Sequence, residues 1–243
     1  MTRREFGQYC GLARALELVG ERWALLIVRE LMARPGRYTD LLEELSGIPT
    51  NVLSTRLKEL EEAGIVERRI AQAPQRGVVY ALTEAGQSLQ TAVIALALWG
   101  NARFDAHQVG YRVPLSSLVM ALRATFDREA AGGVTASWEI RTAGAVLHAV
   151  VTDGQLTSGA GPAPTGPDLT ITVAADAVPP YQELMRAIGL GEVELSGRRS
   201  LLETFADVFI PRSAGSVPAD RQPHPPAEDV TGPAGVRRSR GRG

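Results

Sequence analysis

The residues with the clearest chemical pattern lie between Thr50 and Glu62. On a helix, Leu53, Leu57 and Leu60 fall on one side, and Asn51, Ser54, Thr55 and Lys58 fall opposite. Short hydrogen-bonding side chains with one cation suit the base edges and phosphates of double-stranded DNA. A merely solvated helix face is more often rich in Glu and Lys. Glu59, Glu61 and Glu62 fit that description, but they sit in the C-terminal half, away from the end expected to meet DNA. Arg76, at the tip of a predicted hairpin, reaches a minor groove or a phosphate. Arg56, at the edge of the apolar side, bonds a phosphate or the neighbouring helix. Thr39 and Thr50 stand at the starts of two predicted helices. The expected DNA contacts are therefore Thr39, Thr50, Asn51, Ser54, Thr55, Arg56, Lys58 and Arg76. The competing reading is a generic helical domain with a surface hairpin.

Other chemistries find little support. His107, His148 and His224 are far apart, and none accompanies a nucleophile motif. Gly159-Ala160-Gly161 runs into Pro162, not into the helix that a phosphate loop requires. A single cysteine rules out an internal disulfide and any multi-cysteine metal site. No catalytic set, metal or cofactor is expected, and the chain is read as a non-enzyme. The longest unbroken apolar run, Ala92 to Trp99, is eight residues, whereas a membrane helix needs about 20. The N-terminus has no signal-peptide pattern. A cytoplasmic protein with no membrane partner is expected.

The elements around the patterned helix follow from periodicity. Leu12, Leu16 and Val19 form one helical stripe, ended by Gly20. Trp23, Leu26, Ile27 and Leu31 form the next, stopped by Arg34-Pro35-Gly36. Thr39 is a predicted N-cap for a helix over Asp40 to Leu45. Ser46-Gly47-Ile48-Pro49 is a tight turn before the helix Thr50 to Ala63, which Gly64 closes. Ile65 to Ile70, with Arg68 and Arg69, and Val78 to Leu82 make a hairpin. A helix from Thr83-Glu84-Ala85-Gly86 runs to about Ala106. Its middle is apolar nearly all round, so it finds its cover on a second subunit.

After a linker, 109–114, the pattern changes. Leu118, Val119, Leu122 and Phe126 make an amphipathic helix. Thr135 to Arg141, Ala145 to Asp153 and Leu169 to Ala174 read as strands, with an Asp153-Gly154 hairpin turn into Gln155 to Ser158. Gly159 to Pro167 reads as a loop, and Pro180 to Ile188 and Leu201 to Phe209 as helices. The fold class is thus a mainly α winged helix-turn-helix domain over 1–108, an α+β domain over 115–211 and a disordered tail over 212–243. The tail has five Pro and five Gly and cannot bury enough surface to order itself.

The net charge of −1 is a cancellation. Residues 1–108 carry thirteen basic and thirteen acidic residues, 109–211 seven and eleven, and 212–243 six and three. The acidic middle segment is not expected to touch DNA. The tail's arginines either meet phosphates non-specifically or are simply solvated.

Several segments carry a resemblance to the HxlR family of winged-helix regulators. They are Cys10, Ala15 to Trp23, Leu26 to Leu31, Gly47 to Gly64, Tyr80 to Gly86, and Trp99-Gly100, in unbroken order over about 8–105. Tyr38 and Thr39 depart from the family's usual residues, and the hairpin tip has Pro74-Gln75-Arg76 in place of paired prolines. The resemblance implies a homodimeric, DNA-binding transcriptional regulator, its dimer built from the first helix and the long helix after the wing; the chain is read as a repressor. Two-fold symmetry then implies a palindromic operator. Cys10 matches a cysteine that some members use to sense oxidants. The alternative for Cys10 is a small buried residue at the dimer contact.

Residues 115–211 resemble sterol carrier protein-2-like domains, through Trp138-Glu139-Ile140, Val151 to Gly154, Asp168 to Val173 and Val193 to Gly197. That resemblance implies a small helix-covered sheet with an apolar tunnel. Phe126, Trp138, Met185, Ile188, Leu202 and Phe205 are expected around it, and the other reading of each is ordinary core. A small apolar effector there would control the DNA reader. The alternatives are a second domain that only supports the dimer, or a lipid-binding protein whose winged helix no longer reads DNA.

Overall fold

The computed structural model describes residues 5–71, 77–105 and 110–210. The hairpin tip with Arg76, the tail 212–243, His107 and His224 lie outside the described residues.

The chain opens with α1 (Gly11–Val19), α2 (Ala24–Ala33), α3 (Tyr38–Glu44) and α4 (Thr50–Glu62). Helix α2 buries Ile27, Val28 and Leu31, and α4 buries Leu53, Leu57 and Leu60 in the same cluster. Each such side chain contributes about 1.5–3 kcal/mol through burial. Helix α3 starts two residues earlier than Thr39 as N-cap predicts. Arg37 occupies the cap, and its N–H donates to the Asp40 carboxylate at 2.9 Å. A carboxylate three residues into the helix satisfies that amide from inside, so Thr39 lies in the first turn.

Strands β1 (Val66–Ile70) and β2 (Val78–Leu82) form the antiparallel wing, with Val66 opposite Leu82 and Ile70 opposite Val78. Gly36 and Tyr80 exchange backbone hydrogen bonds of 3.0 and 2.8 Å, tying the α2–α3 turn to the wing. Thr83 caps α5 (Glu84–Ser88), accepting from the Gly86 N–H at 3.1 Å. The predicted long helix is two segments. Leu89 separates α5 from α6 (Gln90–Asn101). Helix α6 stops short of Ala106 because Arg103 folds back and donates to the Trp99 carbonyl at 2.7 Å, an acceptor that a continuing helix would use.

The C-terminal part begins with α7 (Leu115–Thr125) and holds β3 (Ala136–Thr142), β4 (Ala145–Thr152), β5 (Gln155–Ala160), β6 (Leu169–Val173) and β7 (Glu194–Gly197), with α8 (Tyr181–Leu190) and α9 (Leu201–Phe209). The sheet order is β5-β4-β3-β6-β7; β3 and β6 run parallel and the other pairs antiparallel. Asp153 and Gly154 both take positive φ, the two-residue turn that their types predict. Strand β5 runs to Ala160, into the stretch expected to be loop, because Gly159 and Ala160 pair with His148 and Leu147. By register Trp138, Ile140, Leu147, Ala149, Leu169 and Ile171 share one face, and all six are buried in the cluster that also holds Phe205 and Phe209.

The two apolar clusters meet along α2 and α7. Met120 of α7 belongs to the helix-turn-helix core, and Ala33 of α2 to the sheet core. The Ser116 hydroxyl donates to the buried Glu30 carboxylate at 2.9 Å, and Arg29 Nε donates to the same oxygen at 3.0 Å. Arg112 reaches the end of α3, donating to the Glu44 carbonyl at 3.1 Å. The Arg123 guanidinium donates to Ser158 Oγ at 2.9 Å, Gln90 Oε1 at 3.0 Å, and the carbonyls of Met32 and Ser158 at 2.9 and 2.5 Å. Strand β5 lies so close to α2 that a Cβ on Gly159 would stand 2.8 Å from the Ala33 carbonyl oxygen.

Gly159→Ala is therefore expected to cost about 1–3 kcal/mol, the usual price of overpacking, in a urea titration of the full chain. A midpoint equal to that of the native chain would show that the approach is not tight.

Burial pushes the Tyr181 phenol up to about 12; its oxygen lies 2.6 Å from Thr125 Oγ1 and donates to the Phe209 carbonyl at 3.1 Å. The folded chain keeps this proton where an unfolded tyrosine, near pH 10, loses it. Its contribution is complete below about pH 10 and is lost as pH rises towards about 12. Tyr181→Phe should flatten the alkaline decline of stability over that window. Identical declines in the two proteins would count against the shift.

Candidate nucleic-acid interface

Helix α4 is held by its buried leucines and turns Thr50, Asn51, Ser54 and Lys58 to solvent. Thr55 is half-buried, and its hydroxyl donates to the Asn51 carbonyl at 2.8 Å. Tyr38 braces the start of this face. Its hydroxyl donates to the Thr50 carbonyl at 2.7 Å and lies 3.1 Å from Ser54 Oγ. Lys58 Nζ is 3.8 Å from the Glu62 carboxylate, with both side chains exposed. Such a loose pair is worth little and exchanges readily for a phosphate. Asn51, Ser54 and Lys58 thus share one solvent face, as their spacing implies.

Thr39 stands apart from this set, exposed in the first turn of α3. Arg56 is turned inwards. Its guanidinium bonds Glu59 and, at 3.1 Å, Glu21, which joins α4 to the α1–α2 corner. The bond to the neighbouring segment, one of the two roles expected for Arg56, is formed. On the wing, Arg68 donates to Glu61 at 2.9 Å and lies 5.7 Å from the Tyr80 ring centroid. The Glu61 hydrogen bond holds that guanidinium more firmly charged. Arg69 is bonded to Glu67 at 2.7 Å. Arg76 lies outside the described residues.

The Tyr38 brace was missed from sequence. The available signal was the aromatic residue at the start of α3, but its contact with Thr50 and Ser54 spans more than ten residues and has no local signature.

Cys10 is exposed at the N-cap of α1. The thiol closes no cap hydrogen bond, yet the Ala13 and Leu12 amides at the open helix end draw it below its ordinary value. Trp138, Met185, Ile188 and Phe205 are buried in the sheet core, with Phe126 and Leu202 packed against it. The rings touch one another: Trp138 meets Phe205 at 5.9 Å and Phe209 at 6.0 Å, and Phe126 meets Phe209 at 5.8 Å. Trp138 Nε1 donates to the Leu201 carbonyl at 3.1 Å. Among the described residues, no three His, Cys, Asp or Glu side chains gather to hold a metal ion. No helix there is long and apolar enough to cross a membrane.

Residues 18–108 match the HxlR-like helix-turn-helix family. The HTH-type transcriptional regulator Rv3095 of Mycobacterium tuberculosis is 44% identical over 101 residues, which is 42% of this chain and 62% of that protein. The chain thus spans less than two thirds of this mycobacterial relative. YodB of Bacillus subtilis, an HTH-type transcriptional regulator, is 38% identical over 87 residues, 36% of this chain and 78% of that protein. Among solved structures, quinone-bound YodB is 35% identical, covering 37% of this chain and 96% of its own, with a TM-score of 0.33. The oxidized form of the redox regulator HypR is 28% identical, covering 40% and 100%, with a TM-score of 0.37. Through residues 18–108 the chain belongs to the HxlR-like helix-turn-helix family of transcriptional regulators.

Proposed function

We propose that the chain is a non-enzymatic, homodimeric repressor that reads a palindromic operator in double-stranded DNA through α4. The observation that carries this reading is the exposed face of Asn51, Ser54 and Lys58 on a helix locked from behind by three buried leucines and braced by Tyr38. A rigid helix with short hydrogen-bonding side chains loses little freedom when it enters a major groove. It also argues against a lipid-binding protein with a silent winged helix. Thr50 and Thr55 join the face, and Thr39 and Arg76 reach the flanking backbone. Arg56 positions α4 through Glu59 and Glu21. A dimer that covers its operator blocks transcription without further machinery, which is why the reading is repression in the cytoplasm.

The dimer rests on apolar surface. Leu12 and Leu16 of α1 and Leu96, Leu98 and Trp99 of α6 are exposed, with Leu12 at 69% and Trp99 at 59%. Of α6 only Val93 is buried. Exposed apolar residues in this number mark an interface, and a second copy brings two readers to half-sites about one DNA turn apart.

Residues 115–210 form a helix-covered sheet, which supports the likeness to sterol carrier protein-2-like domains. Mutual packing of Trp138, Phe205 and Phe209 favours a bracing role for this domain over an apolar tunnel. Cys10 supports a second, redox reading, since its thiol is exposed and its pKa is lowered.

Sequencing the genomic fragments that the protein retains tests the main reading. Lys58→Ala should weaken retention of every fragment and lower the slope of log affinity against log salt by about one. Asn51→Ala should relax base choice at one position, at about 1–3 kcal/mol. Retention of no sequence above background would sink the proposal. For the dimer, Leu12→Glu combined with Trp99→Glu should shift the sedimentation coefficient to that of a monomer. A native chain that already sediments as a monomer removes the interface. For Cys10, the alkylation rate against pH should show a midpoint below the ordinary thiol value of about 8.5, and a normal midpoint ends the redox reading.

A further inference from the structure

A cleft of about 250 Å³ opens where α2, the wing, α6 and α7 meet, lined by Met32, Arg34, Pro35, Arg69, Leu82 and Arg123 among others. No Asp or Glu lines it. Three guanidinium groups do, and their charge is only partly compensated. Arg69 is paired with Glu67. Arg34 is exposed and makes no ion pair among the described residues. Arg123 is partly buried and bonded only to neutral oxygens: a hydroxyl, an amide oxygen and two carbonyls. Those four bonds use four of its five N–H donors, and the fifth, on Nη1, has no acceptor among the described residues.

A partly buried cation without a counter-ion is costly, and the cost shows in Arg123: loss of solvent draws its guanidinium below its ordinary value. An anion in the cleft repays that desolvation and takes the spare donor in a charge-assisted bond. Leu82, Pro35 and Met32 give the remaining wall an apolar part, beside the side-chain amides of Gln87 and Gln90. A volume of about 150 Å³ accommodates benzene, so the cleft has room for one ring with a charged group.

We propose that this cleft binds a small organic carboxylate, a monocyclic or short aliphatic acid, with its carboxylate on Arg123 and Arg34 and its apolar body against Leu82 and Pro35. No residue expected around an apolar tunnel takes part, so the site is distinct from that tunnel. Its walls come from the wing strands, from the end of the helix that supports α4, and from α7. A ligand there touches the reader and its brace together. Where the two have more than one arrangement, the acid favours the one that closes the cleft, and operator affinity changes by the difference. This last step rests on the DNA-reading proposal above; the binding step does not.

Titration calorimetry of the DNA-free full chain with benzoate, benzamide and inorganic phosphate tests the site. Benzoate should bind about tenfold or more tightly than its neutral isostere benzamide, and more tightly than phosphate. Arg34→Gln should weaken benzoate at least about threefold and leave the melting temperature unchanged. Arg123→Gln should abolish the preference for benzoate over benzamide, but because it also removes junction bonds, Arg34→Gln is the deciding variant. Equal binding of benzoate and benzamide would overturn the proposal. So would phosphate binding best, with Arg34→Gln lowering the salt slope on DNA, because the cleft would then be a backbone contact. Should benzoate bind as expected while no genomic fragment is retained, the carboxylate site stands and the DNA-reading proposal fails.

Discussion

Helix α7 has to satisfy two cores at once, and the rest of the architecture follows from how it does so. Leu118, Val119 and Leu122 enter the sheet core while Met120 enters the helix-turn-helix core. A helix shared in this way cannot slide without opening one cavity or the other, and close-packed interiors tolerate little of that. Its last turn carries Arg123, whose planar donors meet α2, α6 and β5 together. Lysine has no such fork, so the fixed spacing of those three segments depends on the guanidinium shape as well as on its charge. Gly159 completes the constraint, because β5 approaches the end of α2 too closely for a side chain.

What was legible in the sequence is what is local. Leu53, Leu57 and Leu60 repeat at helical spacing, and the helix they predict is the one formed. Asp153-Gly154 carries a turn signal in its residue types, and both take positive φ. The hairpin between β3 and β4 turns at Ala143-Gly144, also with positive φ, and alanine there announces nothing. Strand β7, of four residues, pairs only with β6 and has an exposed pattern, so no alternation marks it.

At the candidate interface the same division holds. The side of α4 on which Asn51, Ser54 and Lys58 lie follows from counting residues. The direction of Arg56 does not, since the edge of an apolar stripe faces both solvent and the neighbouring segment. It is settled by Glu21, 35 residues earlier in the chain. Tyr38 is the same kind of case. Long-range polar contacts of single residues leave no periodic trace, whereas apolar faces must repeat to be buried at all.

The charge balance of the first 108 residues acquires a physical meaning from these pairings. Glu17 holds Arg14, Glu30 holds Arg29, Glu59 and Glu21 hold Arg56, Glu61 holds Arg68 and Glu67 holds Arg69. Five of the thirteen basic residues of 1–108 are held in this way, and with thirteen acidic residues in the same segment bulk attraction to phosphate is weak. Any affinity for DNA must come from placed hydrogen bonds, from Lys58 once it leaves Glu62, and from doubling those contacts in a dimer. Arg34 of this segment and Arg123 beyond it make no ion pair among the described residues, and their charge lies in a recess whose wall is partly apolar. A guanidinium half withdrawn from water attracts a small anion more strongly than an exposed one does, because its field is less screened. Self-neutralisation of the head and the uncompensated recess beside the wing are thus two results of one distribution of arginines.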